Sequence, residues 1–178
     1  MKPLEKTVVL VGMMGAGKTS VGRRLAVALH LPFRDADSEI ERAAGCTINE
    51  IFERLGEAAF REGERRVVAR LLTEPPHVLA TGGGAFIDPD TRARITERAI
   101  SVWLKADIDL LLERVTRKDT RPLLKNGDPR AALTKLLEDR APVYALSDIT
   151  VVSDGSSHET VVKRIMAELE KYTRRSPT

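Results

Sequence analysis

Four continuous apolar runs divide the chain and predict the buried strands of a sheet. They are Thr7 to Val11, Val78 to Thr81, Ile100 to Leu104 and Ile149 to Val152. Because their apolar residues are consecutive instead of alternating with polar ones, we expect both faces of each strand to be covered, as in a parallel sheet. A shorter stretch from Leu31 to Arg34 predicts a further strand.

The segments between these runs carry the start signals of helices. Thr47, with Glu50 three residues later, forms a capping box. Asp88 and Asp128 each precede a proline, which suits the first position of a helix. Strands and helices therefore alternate, and this order predicts a three-layer α/β fold with helices on both faces of a parallel sheet.

Two regions interrupt the alternation. Residues 38–72 hold successive helical segments separated at Gly45 and Gly56 with no strand among them, which predicts a helical insert at one side of the sheet. Residues 114–127 contain five basic residues and one acidic residue, with a proline and a glycine that disfavour a helix, so we expect a mobile basic loop. We expect one domain over residues 1–178, with a disordered polar tail at 173–178.

The composition excludes several classes of protein. Of the 178 residues, 42% are hydrophobic and 31% are charged, which is typical of a globular domain and not of a disordered chain. The net charge of +3 is small and aromatic residues make up 4%, so we expect no nucleic-acid binding. A single cysteine, Cys46, and three separated histidines give no zinc-site spacing. Without a membrane-length apolar run or a secretory signal, we expect a cytoplasmic protein with no membrane partner.

The first strand leads into a phosphate-binding motif. Gly12 to Thr19 fits the pattern G-x-x-x-x-G-K-[ST] between a strand and an amphipathic helix. Its glycines let backbone N–H groups turn around phosphate oxygens, Lys18 reaches the outer phosphates, and Thr19 offers a hydroxyl to Mg²⁺. The Asp-x-x-Gly sequence of GTPases is absent, and the stretch from Thr116 to Asp119 only approximates a guanine-reading motif, so a GTPase is not expected.

Two acidic residues follow the short second strand. Asp35 and Asp37 come where the carboxyl ends of strands in α/β folds place their ligands. One carboxylate is expected to face Mg²⁺ beneath the phosphate loop, and the other an acceptor hydroxyl. The alternative is that Asp37 only caps the helix that follows.

A glycine triplet and three arginines complete the candidate set. Gly82 to Gly84 ends the second long strand, which indicates either a ligand lying against bare backbone or a plain flexible turn. Arg61 lies in the helical insert, and Arg140 follows a helix expected from Asp128 to Asp139. Paired across a pocket, these two guanidinium groups would bind a carboxylate, while Arg121 would reach the transferring phosphates.

Together these motifs resemble those of the shikimate kinase family, over Thr7 to Leu169. The matching pieces, in the family's order, are Gly12 to Thr19, Asp35 to Asp37, Phe60-Arg61 with Glu64, Ala80 to Gly84, Arg121 to Leu124 and Arg140 to Tyr144. The resemblance implies a three-layer P-loop kinase fold with a five-stranded parallel sheet, a helical substrate-binding region at about residues 35–64 and a mobile lid at about residues 113–126. It also implies ATP-dependent phosphorylation of the 3-hydroxyl of shikimate, a step toward chorismate and the aromatic amino acids.

The resemblance assigns roles to individual residues. Those expected in catalysis are Lys18, Asp37 and Arg121. Those expected at the nucleotide are Gly12, Gly15, Ala16, Gly17, Lys18, Thr19, Ser20, Arg114, Arg121 and Ser156. Those expected at shikimate are Asp37, Arg61, Gly82, Gly83 and Arg140, with the two arginines on its carboxylate. Thr19 and Asp35 are expected to serve the cofactor Mg²⁺, and ATP and shikimate are the expected partners of a monomer.

Two other functions are compatible with these motifs. A gluconate or nucleotide kinase of the same group would differ at the acceptor pocket, where Arg61, Arg140 and the three glycines favour a compact ring that bears a carboxylate. A catalytically silent ATP-binding regulator would need no acceptor base, and Asp37 argues against it.

Overall fold

The computed structural model describes residues 4–117 and 127–175. Its sheet has five strands, all parallel, in the order β2-β3-β1-β4-β5. The strands are β1 (Thr7–Val11), β2 (Phe33–Asp35), β3 (Val78–Ala80), β4 (Ala99–Lys105) and β5 (Ile149–Val152). All five predicted strands are confirmed, with ends that differ by at most two residues.

The centre of the sheet forms the core of the protein. Val8 to Val11 of β1 are 0% exposed, as expected for a strand between two neighbours and under helices on both faces. The prediction of two covered faces is wrong for β5, where Thr150 and Val152 are exposed. This strand lies at the edge of the sheet, so one of its faces meets solvent.

Seven helices lie in the described part of the chain. They are α1 (Lys18–Leu29), α2 (Ala36–Ala44), α3 (Ile48–Leu71), α4 (Pro89–Arg98), α5 (Ile108–Thr116), α6 (Pro129–Tyr144) and α7 (His158–Arg175). The predicted capping box is present, since the Thr47 side chain accepts from the Glu50 N–H and the Glu50 side chain accepts from the Thr47 N–H. Asp88 and Asp128 cap α4 and α6 before their prolines, as predicted. Among the described residues, no helix combines the length and apolar character that crossing a bilayer demands.

The predicted helical insert consists of α2 and α3. Gly45 ends α2 in the left-handed conformation, and Gly56 interrupts the helical geometry of α3. Glu39 ties the two helices together, because this buried carboxylate accepts hydrogen bonds from Arg70 of α3 at 2.8 Å and from Arg42 of α2 at 2.7 Å. The hydrogen bond from Arg70 is the main cause that lowers the pKa of Glu39.

Three predicted boundaries are wrong. Helix α6 continues through Tyr144 instead of ending at Asp139, so Arg140 lies on the helix and not after it. Pro142 lies inside this helix, two residues before its end, and lacks the N–H that would otherwise donate within the helix. The predicted basic loop starts later than residue 114, because α5 extends through Thr116. The predicted disordered tail is helical as far as Arg175, and the remainder of the lid, including Arg121, lies outside the described residues.

Candidate active site

The phosphate loop joins β1 to α1 at the carboxyl edge of the sheet. A side chain is excluded at Gly12, because its Cβ would lie 2.8 Å from the carbonyl oxygen of Leu104. Gly17, the N-cap of α1, has a φ of 96°, which favours glycine. The loop therefore delivers the N-terminus of α1, with its free N–H groups and partial positive charge, to the edge where ligands bind.

Two cationic side chains, those of Lys18 and Arg114, donate hydrogen bonds to the backbone of this loop. The Lys18 Nζ is nearly buried and donates hydrogen bonds to the carbonyl oxygens of Gly12 at 2.7 Å and Met13 at 2.8 Å. Arg114 of α5 donates to the carbonyl oxygens of Gly15 and Ala16, both at 3.2 Å. Both positive charges are thus held beside the place where the motif predicts a phosphate group.

Asp35 caps α2, which resolves the alternative raised for Asp37. Its Oδ1 accepts from the N–H groups of Asp37 at 3.1 Å and Ser38 at 3.3 Å. Its Oδ2 accepts from the hydroxyl of Thr19 at 2.8 Å, which links α2 to the phosphate loop. The interpretation of Asp37 as the helix cap is therefore wrong, because Asp37 occupies the second position of the helix.

Two adjoining cavities meet at Asp37, Gly82 and Gly83. The first, the phosphate-loop cavity, is lined in addition by Gly15, Gly17, Lys18, Thr19, Ser20, Asp35, Thr81, Arg114, Val115, Arg117 and His158. The second, the arginine cavity, is lined in addition by Met14, Ser38, Glu41, Thr47, Ile48, Asn49, Phe52, Phe60, Arg61, Glu64, Gly84 and Arg140. Its volume of about 540 Å³ lies within the usual range for small-molecule sites, about 300–1,000 Å³.

The arginine cavity contains the two guanidinium groups that the sequence predicted to act together. Arg61 donates to Glu64 at 2.8 Å and pairs with Glu57 at 3.4 Å. Within the described residues, the buried Nη1 of Arg140 has no hydrogen-bond partner. A carboxylate can accept two hydrogen bonds from a guanidinium group. An anion in this cavity would therefore give Arg140 its missing hydrogen-bond partner and would share Arg61 with Glu64.

The three glycines leave space that the charged ends of the site's own side chains occupy. A Cβ on Gly82 would lie 2.9 Å from the Glu64 Oε1 and 3.2 Å from the Asp37 Oδ1. A Cβ on Gly83 would lie 3.2 Å from the Arg140 Nη1, and one on Gly84 would collide with the guanidinium group of Arg61. The interpretation of a plain flexible turn is therefore wrong. Because the glycine loop (residues 82–84) has no side chains, the charged groups of both cavities can lie directly against its backbone.

Glu64 is a site residue to which sequence reasoning gave no role. Its side chain is 2% exposed, and burial raises the pKa of its carboxyl group, although the Arg61 hydrogen bond opposes this. It holds the Arg61 guanidinium in place at the wall of the cavity. The helical spacing of three residues between Arg61 and Glu64 is the signal that could have revealed the pair.

The described lining of the phosphate-loop cavity adds His158 to the predicted nucleotide residues and does not include Gly12, Ala16 or Ser156. His158, the first residue of α7, lines the phosphate-loop cavity, and burial together with the charges of Arg24 and Arg114 lowers its pKa. Ser156 is absent from the described lining, and its N–H donates to Asp154 at 3.2 Å. The Arg164 and Ser156 hydrogen bonds hold the pKa of Asp154 below its usual range.

Thr19 and Asp35, predicted to serve Mg²⁺, carry oxygen atoms of the kind that this ion prefers. In the described ranges, no group of three or more His, Cys, Asp or Glu side chains lies close enough to hold a metal ion. Such a cage is unnecessary, since Mg²⁺ usually binds through one or two protein oxygens, the substrate phosphates and water. The hydroxyl and carboxylate lie 2.8 Å apart, on the side of the loop that faces the cavity.

Known proteins similar to this chain belong to one family. The family model described as shikimate kinase matches residues 14–170. A shikimate kinase from Caulobacter vibrioides is 60% identical over 166 residues, which cover 93% of this chain and 83% of that protein. A shikimate kinase from Paramagnetospirillum magneticum is 58% identical over 167 residues, covering 94% and 86%.

A solved structure matches the fold described above. Shikimate kinase from Acinetobacter baumannii, in complex with shikimate, superimposes with a TM-score of 0.91 at 38% identity, covering 95% of each chain. The match covers nearly the whole of both chains, so the likeness is not confined to a shared nucleotide-binding core. From this agreement we conclude that the chain belongs to the shikimate kinase family.

Proposed function

We propose that this chain transfers the γ-phosphoryl group of ATP to the 3-hydroxyl of shikimate, giving shikimate 3-phosphate and ADP. The observation that carries the proposal is the junction of the two cavities at Asp37 and the glycine loop. A phosphate donor on one side and a carboxylate-bearing acceptor on the other would meet at this carboxylate. Such a junction holds both reactants in position, which is a large part of catalysis in phosphoryl transfer.

The arginine cavity would bind the acceptor. Arg61 and Arg140 come from different helices and approach the glycine loop from two directions, so they would fix the acceptor carboxylate and the orientation of its ring. Phe52 and Phe60, with ring centroids 4.8 Å apart, supply an apolar wall for the carbon skeleton. Two cations beside an apolar wall suit a compact ring that bears a carboxylate, such as shikimate, better than the open chain of gluconate or the larger nucleoside monophosphate.

The chemistry itself would centre on Asp37 and Lys18. Asp37 would orient the acceptor hydroxyl and take its proton as the oxygen attacks the γ-phosphorus and the bond to the β-phosphate oxygen breaks. Lys18 would stabilise the negative charge on the transferring group. Thr19 and Asp35 would hold Mg²⁺, which supplies charge neutralisation on the phosphates when bound. Arg121, assigned to the phosphates by the family resemblance, stays a prediction, as do the monomeric state, the cytoplasmic location and the extent of the domain.

An ADP-release assay tests the proposed function. With ATP and Mg²⁺ present, shikimate should support ADP release well above background, whereas gluconate and nucleoside monophosphates should not. Omission of Mg²⁺, or its removal with a chelator, should abolish the rate. Release with gluconate but not with shikimate would show that the acceptor assignment is wrong, and ATP binding without turnover of any acceptor would favour the silent regulator.

Alanine at Arg61 or Arg140 is expected to weaken shikimate binding about tenfold or more, because each change removes charge-assisted hydrogen bonds worth about 1.5–3 kcal/mol. Isothermal calorimetry gives the Kd for shikimate and for an ATP analogue. The ATP affinity should change little if both arginines lie at the acceptor end.

Arg65→Ala is the matched control for these variants. Arg65 lies on the same helix as Arg61 and pairs with Glu62 at 2.7 Å and Asp88 at 3.1 Å, outside both cavities. Its loss should leave the Kd for shikimate unchanged. An equal loss of affinity for shikimate and ATP in Arg61→Ala would instead indicate that the helical insert has unfolded, because Glu64 is left buried without its cation.

A further inference from the structure

Tyr144, the last residue of α6, lies buried beneath the glycine loop and has no part in the reaction described above. Its side chain is 0% exposed, and its hydroxyl donates to the carbonyl oxygen of Gly83 at 2.5 Å. The same hydroxyl lies 4.0 Å from the Sδ of Met13 in the phosphate loop. Its ring centroid is 5.9 Å from that of Trp103 on β4. One side chain therefore contacts the phosphate loop, the glycine loop and the central sheet.

The direction of the Gly83 carbonyl decides which way the next N–H group points. The described residues contain no cis peptide bond, and in a planar trans peptide the Gly84 N–H points away from the Gly83 oxygen. The buried Tyr144 hydroxyl donates to this oxygen, so the Gly83 carbonyl points toward the interior of the protein. The Gly84 N–H therefore points to the opposite side, where Gly84 lines the arginine cavity. Among the described residues, no hydrogen bond takes this N–H as its donor.

A run of three glycines would not hold such a peptide by itself. Glycine has the widest choice of backbone conformations, so the orientation has to come from neighbouring groups. Arg140, one helical turn before Tyr144, packs against the Cα of Gly83, where a Cβ would lie 3.2 Å from its Nη1. Burial raises the pKa of Tyr144 to about 12, so the phenol remains a hydrogen-bond donor throughout the physiological range.

We propose that the Tyr144 hydroxyl is a positioning group for the phosphoryl acceptor: by holding the Gly83 carbonyl, it presents the Gly84 N–H to a hydroxyl or carboxylate oxygen of the substrate. The role rests on the proposed function, since it concerns the acceptor side of that site. Tyr144 touches no reacting atom, and it acts through the peptide between Gly83 and Gly84.

Tyr144→Phe tests this role, because it removes the hydroxyl and keeps the ring that packs on Trp103. The KM for shikimate should rise about tenfold, the effect of losing one hydrogen bond of about 1.4 kcal/mol from the Gly84 N–H to the substrate, while the KM for ATP should stay within about twofold. Tyr172→Phe is the matched control, since it removes the only other tyrosine hydroxyl, which donates to Asp148 at 3.0 Å outside both cavities. Its two KM values should equal those of the parent chain.

A second measurement does not depend on the stability of Tyr144→Phe. In Tyr172→Phe, Tyr144 is the sole tyrosine, so tyrosine labelled with ¹³C at the hydroxyl-bearing ring carbon gives one NMR signal. When the Gly84 N–H engages a substrate oxygen, the Gly83 carbonyl becomes a stronger acceptor, because hydrogen bonds in a chain polarise one another. Saturation with shikimate should therefore shift this signal.

The outcomes separate the two proposals. A parent chain that releases no ADP with shikimate refutes the proposed function. If the parent is active, an unchanged shikimate KM in Tyr144→Phe overturns the positioning role and leaves Tyr144 as a packing residue, even if its Tm falls. A ¹³C signal that does not move with shikimate overturns the role in the same way.

Discussion

Asp37→Asn is expected to lower kcat by about 100- to 1,000-fold with little change in Tm. General-base losses are typically about 10²- to 10⁴-fold, and the lower half applies because proton transfer is late in a loose phosphoryl transfer. The amide keeps the shape of the side chain and its place between the two cavities, but it cannot accept the proton of the acceptor hydroxyl. Since Asp35 and not Asp37 caps α2, the cap survives the change. Initial rates with saturating ATP and shikimate, together with thermal melting, provide the two measurements.

Asp90→Asn is the matched control for this variant. Asp90 occupies the second position of α4 behind an aspartate cap, Asp88, just as Asp37 does in α2 behind Asp35. Both variants lose the same stabilising interaction between a carboxylate and the helix N-terminus, worth about 0.3–1 kcal/mol. Only Asp37→Asn should lose activity. A variant that melts like Asp90→Asn yet keeps more than about a third of the parent kcat would refute the role of Asp37 as a base.

Lys18→Met should lower kcat at least about 100-fold. The substitution keeps an unbranched side chain but removes a charge beside the departing phosphoryl group, and the loss of one such stabilising group typically costs about 10²- to 10³-fold. It also removes the hydrogen bonds to the carbonyl oxygens of Gly12 and Met13, so the Tm should fall slightly. Single-turnover rates with bound ATP separate the loss in the chemical step from any loss in ATP affinity.

Lys135→Met serves as the comparison for Lys18→Met. Lys135 is exposed on α6 and pairs with Asp139 at 3.2 Å, outside both cavities, so its loss should leave kcat and Tm near the parent values. A near-normal kcat in Lys18→Met would show that the lysine only stabilises the phosphate loop and has no role in the chemical step.

Most of the fold could be predicted because its signals are local. The buried strands appear as consecutive apolar residues, and Thr47, Asp88 and Asp128 cap their helices through contacts within three residues. The phosphate loop is equally local. Motif residues far apart in sequence, such as Arg61 and Arg140, could be paired only through the family resemblance and the expectation of a shared pocket, and the structure places both in the arginine cavity.

The errors arise where tertiary contacts override a local rule. The sequence predicted the end of α6 at Asp139, yet the helix continues for one more turn, which buries Tyr144. The choice between two neighbouring aspartates as the cap of α2 depends on backbone geometry that the sequence does not encode locally, and Thr19 holds Asp35 in the capping position from a distant element. Glu64 belongs to one of the family's matching pieces but had no assigned role, because its burial against the glycine loop is visible only in three dimensions.

The two oxygens of the Asp35 carboxylate make different contacts, and this determines which residue of the site can be redesigned first. One oxygen of its carboxylate fixes the start of α2 and thereby the place of Asp37, while the other faces Thr19. Replacement of Asp35 to alter the proposed Mg²⁺ site would therefore also displace Asp37, the proposed acceptor base. Replacement of Thr19 removes one hydrogen bond to the Asp35 carboxylate but leaves the two cap hydrogen bonds that the other carboxylate oxygen accepts. Selection for a new metal should begin at Thr19 and leave Asp35 untouched until α2 has been secured by other means.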